Sequence, residues 1–589
     1  PTRPFEYFFL DEELNALYKD ESSFSRLSMI LTILAIVIAC LGLIGLTSFM
    51  VERKTREISV RRVHGATINN VNSLLSREFL VLIMIGLPVV FALLASPFAL
   101  IMLEGDNRNV VAGLYRNLYN GMDSFPLMAL PFFMLAGEIM NRGGITLRLV
   151  EFAQAFMGHL RGGLAHVNIL SSMLFAGLSG SAVADTSAIG STMIPAMEKN
   201  GYTRKFAAAI TAASSVIGPI IPPSGIMIIY AYVMGESVAS LFLAGIVPGI
   251  MVGVGLMVMV RLMADRYDLP KAERIVTKNQ SITPVEYWVS FVLVRINLAG
   301  LLMAIYAGLS TFVGLASITE AGDKVHSLNL WVVFGALLIA SHFMLMGYRK
   351  RVTHDFRMVC KKAIAPLQTP IIILGGILVG VFTPTEASAV AVAYALIVSF
   401  FVLRSMKLRD LGEVLTKSAL ATSAVLLLVG AAVAFKTVVS LSYAPQILSD
   451  YILSLSENPL ILLFLINLLL FIVGMFLYAG PASIILGPIL GPIFVDLGVH
   501  PVHFAIIMSV NLTVGLATPP MGLVLFVAST VSGEKVETIA KAILPFLAVE
   551  ILVIVLITYI PAISMTVPYL TGFLGCAPEI GFSACISPV

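Results

Sequence analysis

The sequence predicts an all-α polytopic membrane protein, and three observations lead to that fold class. Hydrophobic residues make up 58% of the 589 residues and charged residues only 12%, whereas soluble domains carry roughly twice that share of charge. Windows long enough to cross a bilayer contain no charge at all, as in residues 241–260 and 460–494. Part of the chain also recurs 297 positions later, at Gly177 and Gly474 among others. A net charge of +3, spread over short loops, argues against a nucleic-acid partner.

The basic loops set the orientation of the first spans. An apolar span at 27–50 is followed by a cluster of Arg and Lys at 53–62, which the positive-inside rule places in the cytoplasm. A second span near 79–103 then leads outward, and the run at 126–140 returns to a stretch that carries several arginines. Between the basic loops at 261–278 and 349–362, an apolar block is predicted to cross the membrane twice.

The internal repeat is the most informative feature of the sequence. Eight glycines or prolines recur in one register: Gly177, Pro195, Gly201, Gly218, Pro222, Pro223, Gly225 and Pro248 correspond to Gly474, Pro492, Gly498, Gly515, Pro519, Pro520, Gly522 and Pro545. In the first copy Lys199, Arg204 and Lys205 follow the first apolar hairpin, but the matching stretch 493–503 has no Lys or Arg. The bias reverses at the other end of the unit, where only the second copy has basic residues, Lys535 and Lys541. The two copies are therefore predicted to be inverted relative to each other.

Each copy contains a doubled proline flanked by glycines, at 218–225 and 515–522. Proline removes a backbone donor and clashes with the preceding turn, so a membrane helix is predicted to break there. A single Pro-Pro would favour a simple kink, but the duplicated pair favours a true break, the usual ion- and substrate-binding device of inverted-repeat transporters.

An interrupted apolar run precedes each break, and we expect two re-entrant hairpins, near 164–195 and 460–494. Their tips, around 179–181 and 480–483, are predicted to meet the broken helices near the midplane. Hydroxyls and bare carbonyls suit a hard monovalent cation such as sodium. Asp185 either completes this oxygen cage or caps the following helix, and both readings stay open. The candidate residues for sodium and substrate are Ser179, Gly180, Ser181, Asp185, Ser214, Gly218, Pro222, Pro223, Ser224, Gly225, Thr383, Thr385, Gly480, Ser483, Asn511, Thr513, Gly515, Thr518, Pro519, Pro520 and Gly522.

Other candidate groups carry less chemistry. Glu386 is either an acid at a helix N-terminus, which is the favoured reading, or a residue that supports the site, and Glu550 in the last span serves either a partner contact or transport. Cys576 and Cys585 would bridge only in an oxidising compartment. The sequence contains no nucleotide-binding glycine loop and no His cluster with metal-ligand spacing, so enzymatic activity is not predicted.

From about residue 86 to about 561 the chain resembles the large membrane subunit of the tripartite ATP-independent periplasmic (TRAP) transporters. The motifs that carry the resemblance are GLPVVFAL (86–93), LPFFMLAGEIM (130–140), AGLSGSAVADTSAIGS (176–191), GPIIPPSG (218–225), GGILVGVFTPTEASAV (375–390) and NLTVGLATPPMG (511–522). The resemblance implies an elevator-type importer in the bacterial inner membrane, driven by sodium ions and without another cofactor. It implies an organic anion as substrate, of the C4-dicarboxylate, sialic acid or 2-oxo acid class. The implied partners are a small membrane subunit, an extracytoplasmic binding protein and membrane lipids, around a single large subunit.

The chain divides into five predicted segments. Residues 1–82 resemble the C-terminal part of FtsX-like ABC exporter permeases and hold one or two spans, which leaves a noncatalytic ABC export permease as the alternative function. The remaining segments are the first repeat at 83–280, a two-span insert at 281–352, the inverted second repeat at 353–565 and a tail at 566–589.

Overall fold

A computed structural model describes most of the transporter-like part of the chain. The described residues are 116–266, 269–271, 282–312, 316–318, 324–326, 330–349, 351–378, 380–441, 458–520 and 522–574. All of them belong to a compact unit, Val89–Val589. The FtsX-like segment and the Cys576 and Cys585 pair lie outside the described residues.

The first repeat is a series of helices that begins after a short 3-10 turn, Pro126–Met128. Gly180 ends α3 in a left-handed conformation with φ +57°, and the Ser181 hydroxyl accepts the Ala184 amide to start α4. The turn of this helical hairpin therefore consists of only two residues, Gly180 and Ser181. The helices are α1 (Ala129–Arg142), α2 (Ile145–Met157), α3 (Gly163–Ser179), α4 (Ala182–Lys199), α5 (Arg204–Ser215), α6 (Gly225–Met234) and α7 (Val238–Arg266).

The block between the repeats contains two long apolar helices, α8 (Pro284–Phe312) and α9 (Leu330–Arg349). Between them, β1 (Ala316–Ile318) and β2 (Lys324–His326) pair antiparallel, and they form the one sheet in the part of the chain that the structure describes. The first turn of α8 is tied to the first repeat, because Glu286 forms an ion pair with Arg148 of α2.

The second repeat repeats this order. Thr383 and Glu386 form a capping box at the start of α11 (Pro384–Ile397), which runs on into a π-helical turn, Val398–Val402. The described helices from the block onward are α10 (His354–Leu378), α11 (Pro384–Ile397), α12 (Leu408–Leu441), α13 (Pro459–Phe476), α14 (Ala479–Asp496), α15 (Pro501–Gly515), α16 (Leu523–Ser532), α17 (Val536–Tyr559) and α18 (Ala562–Leu570).

The two copies match helix by helix. Shifting α3 to α7 by 297 positions brings the first residue of each helix to within one residue of the start of α13 to α17. Contacts between the copies are related by the same shift of 297 positions. A Cβ atom at Gly190 of α4 would lie 3.4 Å from Val531 of α16, and one at Gly487 of α14 would lie 3.5 Å from Met234 of α6. These pairs exchange under the shift, so an approximate two-fold relates the copies.

The repeat is inverted, as the loop charges predict. The equivalent helices α7 and α17 run antiparallel: a Cβ at Gly255 would touch Val549, while Met263, further along α7, lines a cavity with Glu537, earlier on α17. One copy therefore begins its last helix where the other copy ends it.

Eight helices in the described part are long and apolar enough to cross a membrane. The broken helices fall short of that length. The 10 residues of α6 rise about 15 Å, half of a hydrocarbon core of about 30 Å. Each break therefore falls about half a bilayer thickness from the far end of the short helix that follows it.

Candidate ion and substrate site

The tip of the first hairpin lies directly against the first helix break. A Cβ atom on Gly180 would stand 2.5 Å from the carbonyl oxygen of Pro223 and 3.5 Å from the amide nitrogen of Gly225. A Cβ on Gly218 would stand 2.7 Å from Oδ2 of Asp185. Only glycine leaves room for these approaches, so Gly180, the duplicated Gly218 and the doubled proline take part in one contact.

Asp185 is fully buried at this contact. Its Oδ1 accepts a hydrogen bond from the Ser179 hydroxyl, which itself accepts the Ser181 amide at 3.3 Å. Within the described part of the chain, Oδ2 has no hydrogen-bond partner. The cap of α4 is Ser181, so capping does not account for Asp185. A buried carboxylate oxygen without a donor calls for a proton or a cation.

The first break frees a row of carbonyl oxygens. The oxygens of residues 218–223 accept no hydrogen bond from any described residue, and all of these residues but Ile221 are buried. Pro222 and Pro223, joined by a cis peptide bond, have no amide hydrogen to offer. Helix α6 then restarts at Ser224, whose hydroxyl accepts the Met227 amide. Oxygens of Pro222 and Pro223 face the hairpin, 3.7 and 2.5 Å from the Cβ positions of Gly177 and Gly180.

At the second break more of the carbonyl oxygens accept hydrogen bonds, and one of the two prolines is exposed. The Leu516 oxygen accepts the Val524 amide at 3.0 Å, and the Thr518 oxygen accepts the Gly522 amide at 3.0 Å. Pro519 and Pro520 are again joined in cis, but Pro520 is exposed. The register equivalent of Asp185 is an alanine, Ala482. The two breaks are therefore unequal, and the acid buried against a break, Asp185, belongs to the first; the other fully buried acid, Glu550, lies on α17, and neither of its carboxylate oxygens bonds to a described residue.

The turn of the second hairpin lies at Leu477 and Tyr478, earlier than the predicted 480–483. Gly480 and Ser483 instead form the first turn of α14, where the Ser483 hydroxyl donates to the Gly480 oxygen at 2.8 Å. This turn reaches the first copy: a Cβ at Gly480 would lie 3.8 Å from Ile229 of α6, and the Tyr478 phenol interacts with the Ser181 side chain. Both hairpin turns thus approach each other at the first break.

Buried polar side chains line the helices just before each break. Ser214 bonds to Ser172 at 3.0 Å and to Asn168 at 3.3 Å, and Asn168 donates to Thr211 at 2.7 Å. Sequence reasoning singled out Ser214 but not these partners, although an asparagine in an apolar helix was the available signal.

The equivalent position, Asn511, donates to Asn467 at 2.6 Å, and Asn467 donates to Thr558 at 3.0 Å. Oδ1 of Asn511 is buried without a partner in the described part. The hydroxyls of Thr513 and Thr518 instead bond back to the carbonyls four residues earlier, at 2.5 and 2.9 Å. Gly515 packs against Gly474 of α13, where a Cβ would lie 2.6 Å from the neighbouring Cα.

Thr383 and Thr385 lie at the start of α11, with contacts of their own. The Thr383 hydroxyl accepts the Glu386 amide at 3.3 Å, and the Thr383 amide donates to the Glu386 carboxylate at 2.8 Å. The Thr385 hydroxyl donates to the Phe125 oxygen at 3.1 Å. These bonds give Glu386 the structural role that the sequence indicated. They also engage both threonines away from the hairpin tips.

The chain matches one family over most of its length. Residues 78–322 and 329–563 match the profile described as Tripartite ATP-independent periplasmic transporter, DctM component, so the match includes most of the block between the repeats. No group of three or more His, Cys, Asp or Glu side chains in the described residues could hold a metal ion.

Several curated proteins are similar at the sequence level. The sialic acid TRAP transporter large permease protein SiaM of Vibrio cholerae is 34% identical over 84% of this chain and 97% of its own. The C4-dicarboxylate large permease protein DctM of Pseudomonas aeruginosa is 34% identical over 78% and 90%. The 2,3-diketo-L-gulonate large permease protein YiaN of Escherichia coli is 34% identical over 81% and 94%. A solved structure, the YdaH transporter of Alcanivorax borkumensis, shares 16% identity at a TM-score of 0.46 over 77% of this chain and 90% of that one.

Proposed function

This chain belongs to the DctM component family of tripartite ATP-independent periplasmic transporters, and on that premise we propose that it imports an organic anion using a sodium gradient. The protein is a multi-pass protein of the bacterial inner membrane. Its relatives are named for sialic acid, C4-dicarboxylate and 2,3-diketo-L-gulonate, which are carboxylates, and for isethionate, which is a sulfonate, so the proposed substrate class is an organic anion, most often a carboxylate among these relatives. The proposed partners are a small membrane subunit and an extracytoplasmic binding protein.

The contact between the first hairpin and the first break carries the proposal. The free Oδ2 of Asp185 stands at Gly218, and the Pro222 and Pro223 oxygens, which accept no hydrogen bond from the described residues, face the same hairpin. Neutral carbonyls with one carboxylate form a hard oxygen donor set of low charge, which fits a monovalent cation. The residues present thus fit sodium, with Asp185 as the charged ligand and Ser179 orienting it.

The half-helices that follow the breaks suit the substrate. The N-terminus of α6, at Ser224 and Gly225, and that of α16, at Gly522, carry partial positive charge that stabilises a carboxylate. A cation at Asp185 and an anion at the adjacent helix start would stabilise each other, which couples the two. Each net positive charge that enters across 100 mV contributes about 2.3 kcal/mol, or a factor of about 50 in substrate concentration, so the membrane potential drives uptake only when the sodium ions outnumber the negative charges of the substrate.

The elevator mechanism is part of the proposal. Each broken helix packs on the hairpin of the other copy, as Gly487 and Met234 do, so hairpins and breaks form one packed group. Such a group is suited to move as a body past the remaining helices. The alternative function, an ABC export permease, rests only on residues 1–82 and receives no support from the family match.

Uptake into proteoliposomes tests the proposal. The chain is reconstituted with its small subunit and binding protein, and uptake of a labelled carboxylate is measured with and without an inward sodium gradient. We expect uptake only with sodium, and a loss of at least tenfold in Asp185→Asn, because the cation loses its charged ligand. Asp496→Asn, at an exposed acid at the end of α14, is the matched control and should transport normally.

Two results would contradict the proposal. Uptake that proceeds equally in potassium would remove sodium as the coupling ion. Full sodium-dependent uptake by Asp185→Asn would remove the first break as its site.

A further inference from the structure

A cavity lies at the end of the molecule that carries the basic loops, away from the hairpin tips. Its volume is about 610 Å³, and it is formed by the start of α5, the end of α7 and the start of α17. The positive-inside rule places this end in the cytoplasm, because Lys199, Arg204, Lys535 and Lys541 are all found there. The cavity therefore opens near the cytoplasmic headgroup level, at the junction of the two repeats.

The rim of the cavity carries uncompensated positive charge. Lys205 and Lys541 both line it, and neither forms an ion pair with any described residue. Two basic residues at this end are paired: Arg204 lies 3.4 Å from Glu198, and Arg161 lies 2.7 Å from Asp265, whereas Lys199 and Lys535 form no ion pair with a described residue but do not line the cavity. One lysine comes from each repeat, so the inverted arrangement itself brings the two charges to one opening.

Hydroxyls and helix ends complete the polar rim. Thr203 and Thr538 line the cavity at the starts of α5 and α17, whose N-terminal ends carry partial positive charge. Glu537 is the one acid among the lining residues, and its place in the first turn of α17 is one where a helix stabilises a carboxylate. The net charge of the lining is positive, which selects an anion.

The floor is apolar. Phe206, Met263, Leu269 and Pro545 line it, and the buried Tyr202 is held in place by its hydroxyl, which donates to the Pro270 oxygen at 3.1 Å. A ligand that fills the cavity must therefore combine an anionic group with an apolar part. An anionic phospholipid has both, and basic pockets between membrane helices on the cytoplasmic side are suited to such headgroups.

We propose that this cavity binds the headgroup of an anionic phospholipid, with the phosphate between Lys205 and Lys541. The lipid glycerol and upper acyl carbons lie on the floor formed by Phe206 and Met263. Because the cavity joins α5 and α7 of one repeat to α17 of the other, a bound lipid stabilises the junction between the repeats. The proposal does not depend on the transported substrate.

Thermal unfolding of the delipidated full-length protein in a non-ionic detergent tests this site. Short-chain phosphatidylglycerol is titrated against wild type, the double variant Lys205→Gln/Lys541→Gln and the control Lys199→Gln/Lys535→Gln. The control removes the same charge at the same end from residues that do not line the cavity. We expect phosphatidylglycerol to raise the unfolding temperature of wild type and control, and to bind the cavity variant at least tenfold more weakly.

Phosphatidylcholine and inorganic phosphate serve as the comparison ligands, and neither should protect. An equal response of both double variants to phosphatidylglycerol would overturn the proposal, as would equal protection by phosphatidylcholine. If inorganic phosphate alone raises the unfolding temperature of wild type but not of the Lys205→Gln/Lys541→Gln variant, the ligand of the cavity is a free anion and not a lipid. Elution of all variants as one sharp peak in gel filtration confirms that they are folded.

Discussion

At the scale of residues, the sequence identified the buried acid and the glycines around it but not their hydrogen bonds. Asp185 stands out as the sole acid between Glu151 and Glu198, and its partner Ser179 is only six positions away. Ser214 was equally visible, but its partner Ser172 lies 42 positions away, and no local pattern encodes such a distance. Ser483 was assigned to a tip that its own hydrogen bond to Gly480 places inside a helix.

Gly180 offers a sharp test of the first hairpin contact. Gly180→Ala places a Cβ 2.5 Å from the Pro223 oxygen and also strains a residue with φ +57°. Gly235→Ala is the matched control, because Gly235 also ends a helix, with φ +78°, but has nothing within 4 Å of its Cβ position. Both variants lose about 1 to 2 kcal/mol from backbone strain. We expect Gly180→Ala to lose roughly a further 1 to 3 kcal/mol from the clash.

Thermal unfolding in detergent measures both variants, and sodium-driven uptake measures the function of the contact. Uptake should fall in Gly180→Ala and persist in Gly235→Ala. Equal losses of stability and uptake in the two variants would show that the tip does not press on the break.

At the scale of elements, the breaks and the first hairpin followed from the chemistry of proline and glycine. The second turn was misplaced by a few residues for a physical reason. The first hairpin turns at a left-handed glycine, which sequence reveals, whereas the second turns at Leu477 and Tyr478 with φ −111° and −62°, which any residue adopts. Thr383 was predicted to bind an ion or substrate, but its hydroxyl accepts the Glu386 amide and so caps α11.

Helices α13 and α15 approach each other closely at Gly474 and Gly515, and this contact predicts a stability change. Gly515→Ala puts a Cβ 2.5 Å from the carbonyl carbon of Gly474, so the helices must separate. Gly375→Ala, inside α10 with nothing within 4 Å, has no such clash and gains about 0.5 to 1 kcal/mol of helix propensity. We expect the first variant to lower the unfolding temperature and the second to keep or raise it. Similar behaviour of the pair would argue against the close approach.

At the scale of the whole molecule, charge predicted the inversion and packing confirms it. Loop lysines and arginines report which end faces the cytoplasm, so the sequence alone indicated opposite topologies. Which helices of the two copies touch was beyond the sequence, because those contacts join residues some 300 positions apart, such as Gly190 and Val531.

A cross-link tests the contact between α7 and α17, the equivalent helices of the two copies. In a background without the native cysteines, Gly255→Cys combined with Val549→Cys should form a disulfide, since a Cβ at Gly255 lies 2.7 Å from Cγ1 of Val549. Gly255→Cys with Val536→Cys should not, because residue 536 stands about 20 Å further along α17. Mass shift after alkylation, with and without oxidant, reports the bond. Linking of the second pair in preference to the first would refute this contact.

The reciprocal contacts of Gly190 with Val531 and of Gly487 with Met234 mean that neither copy is complete by itself. In each copy, a hairpin helix packs against the short helix that follows the break in the other copy. A single unit of this kind would need a second copy inserted the opposite way and paired with it about a two-fold axis. One chain that carries both units makes this pairing intramolecular and leaves each copy free to differ, as the acid buried against the first break shows.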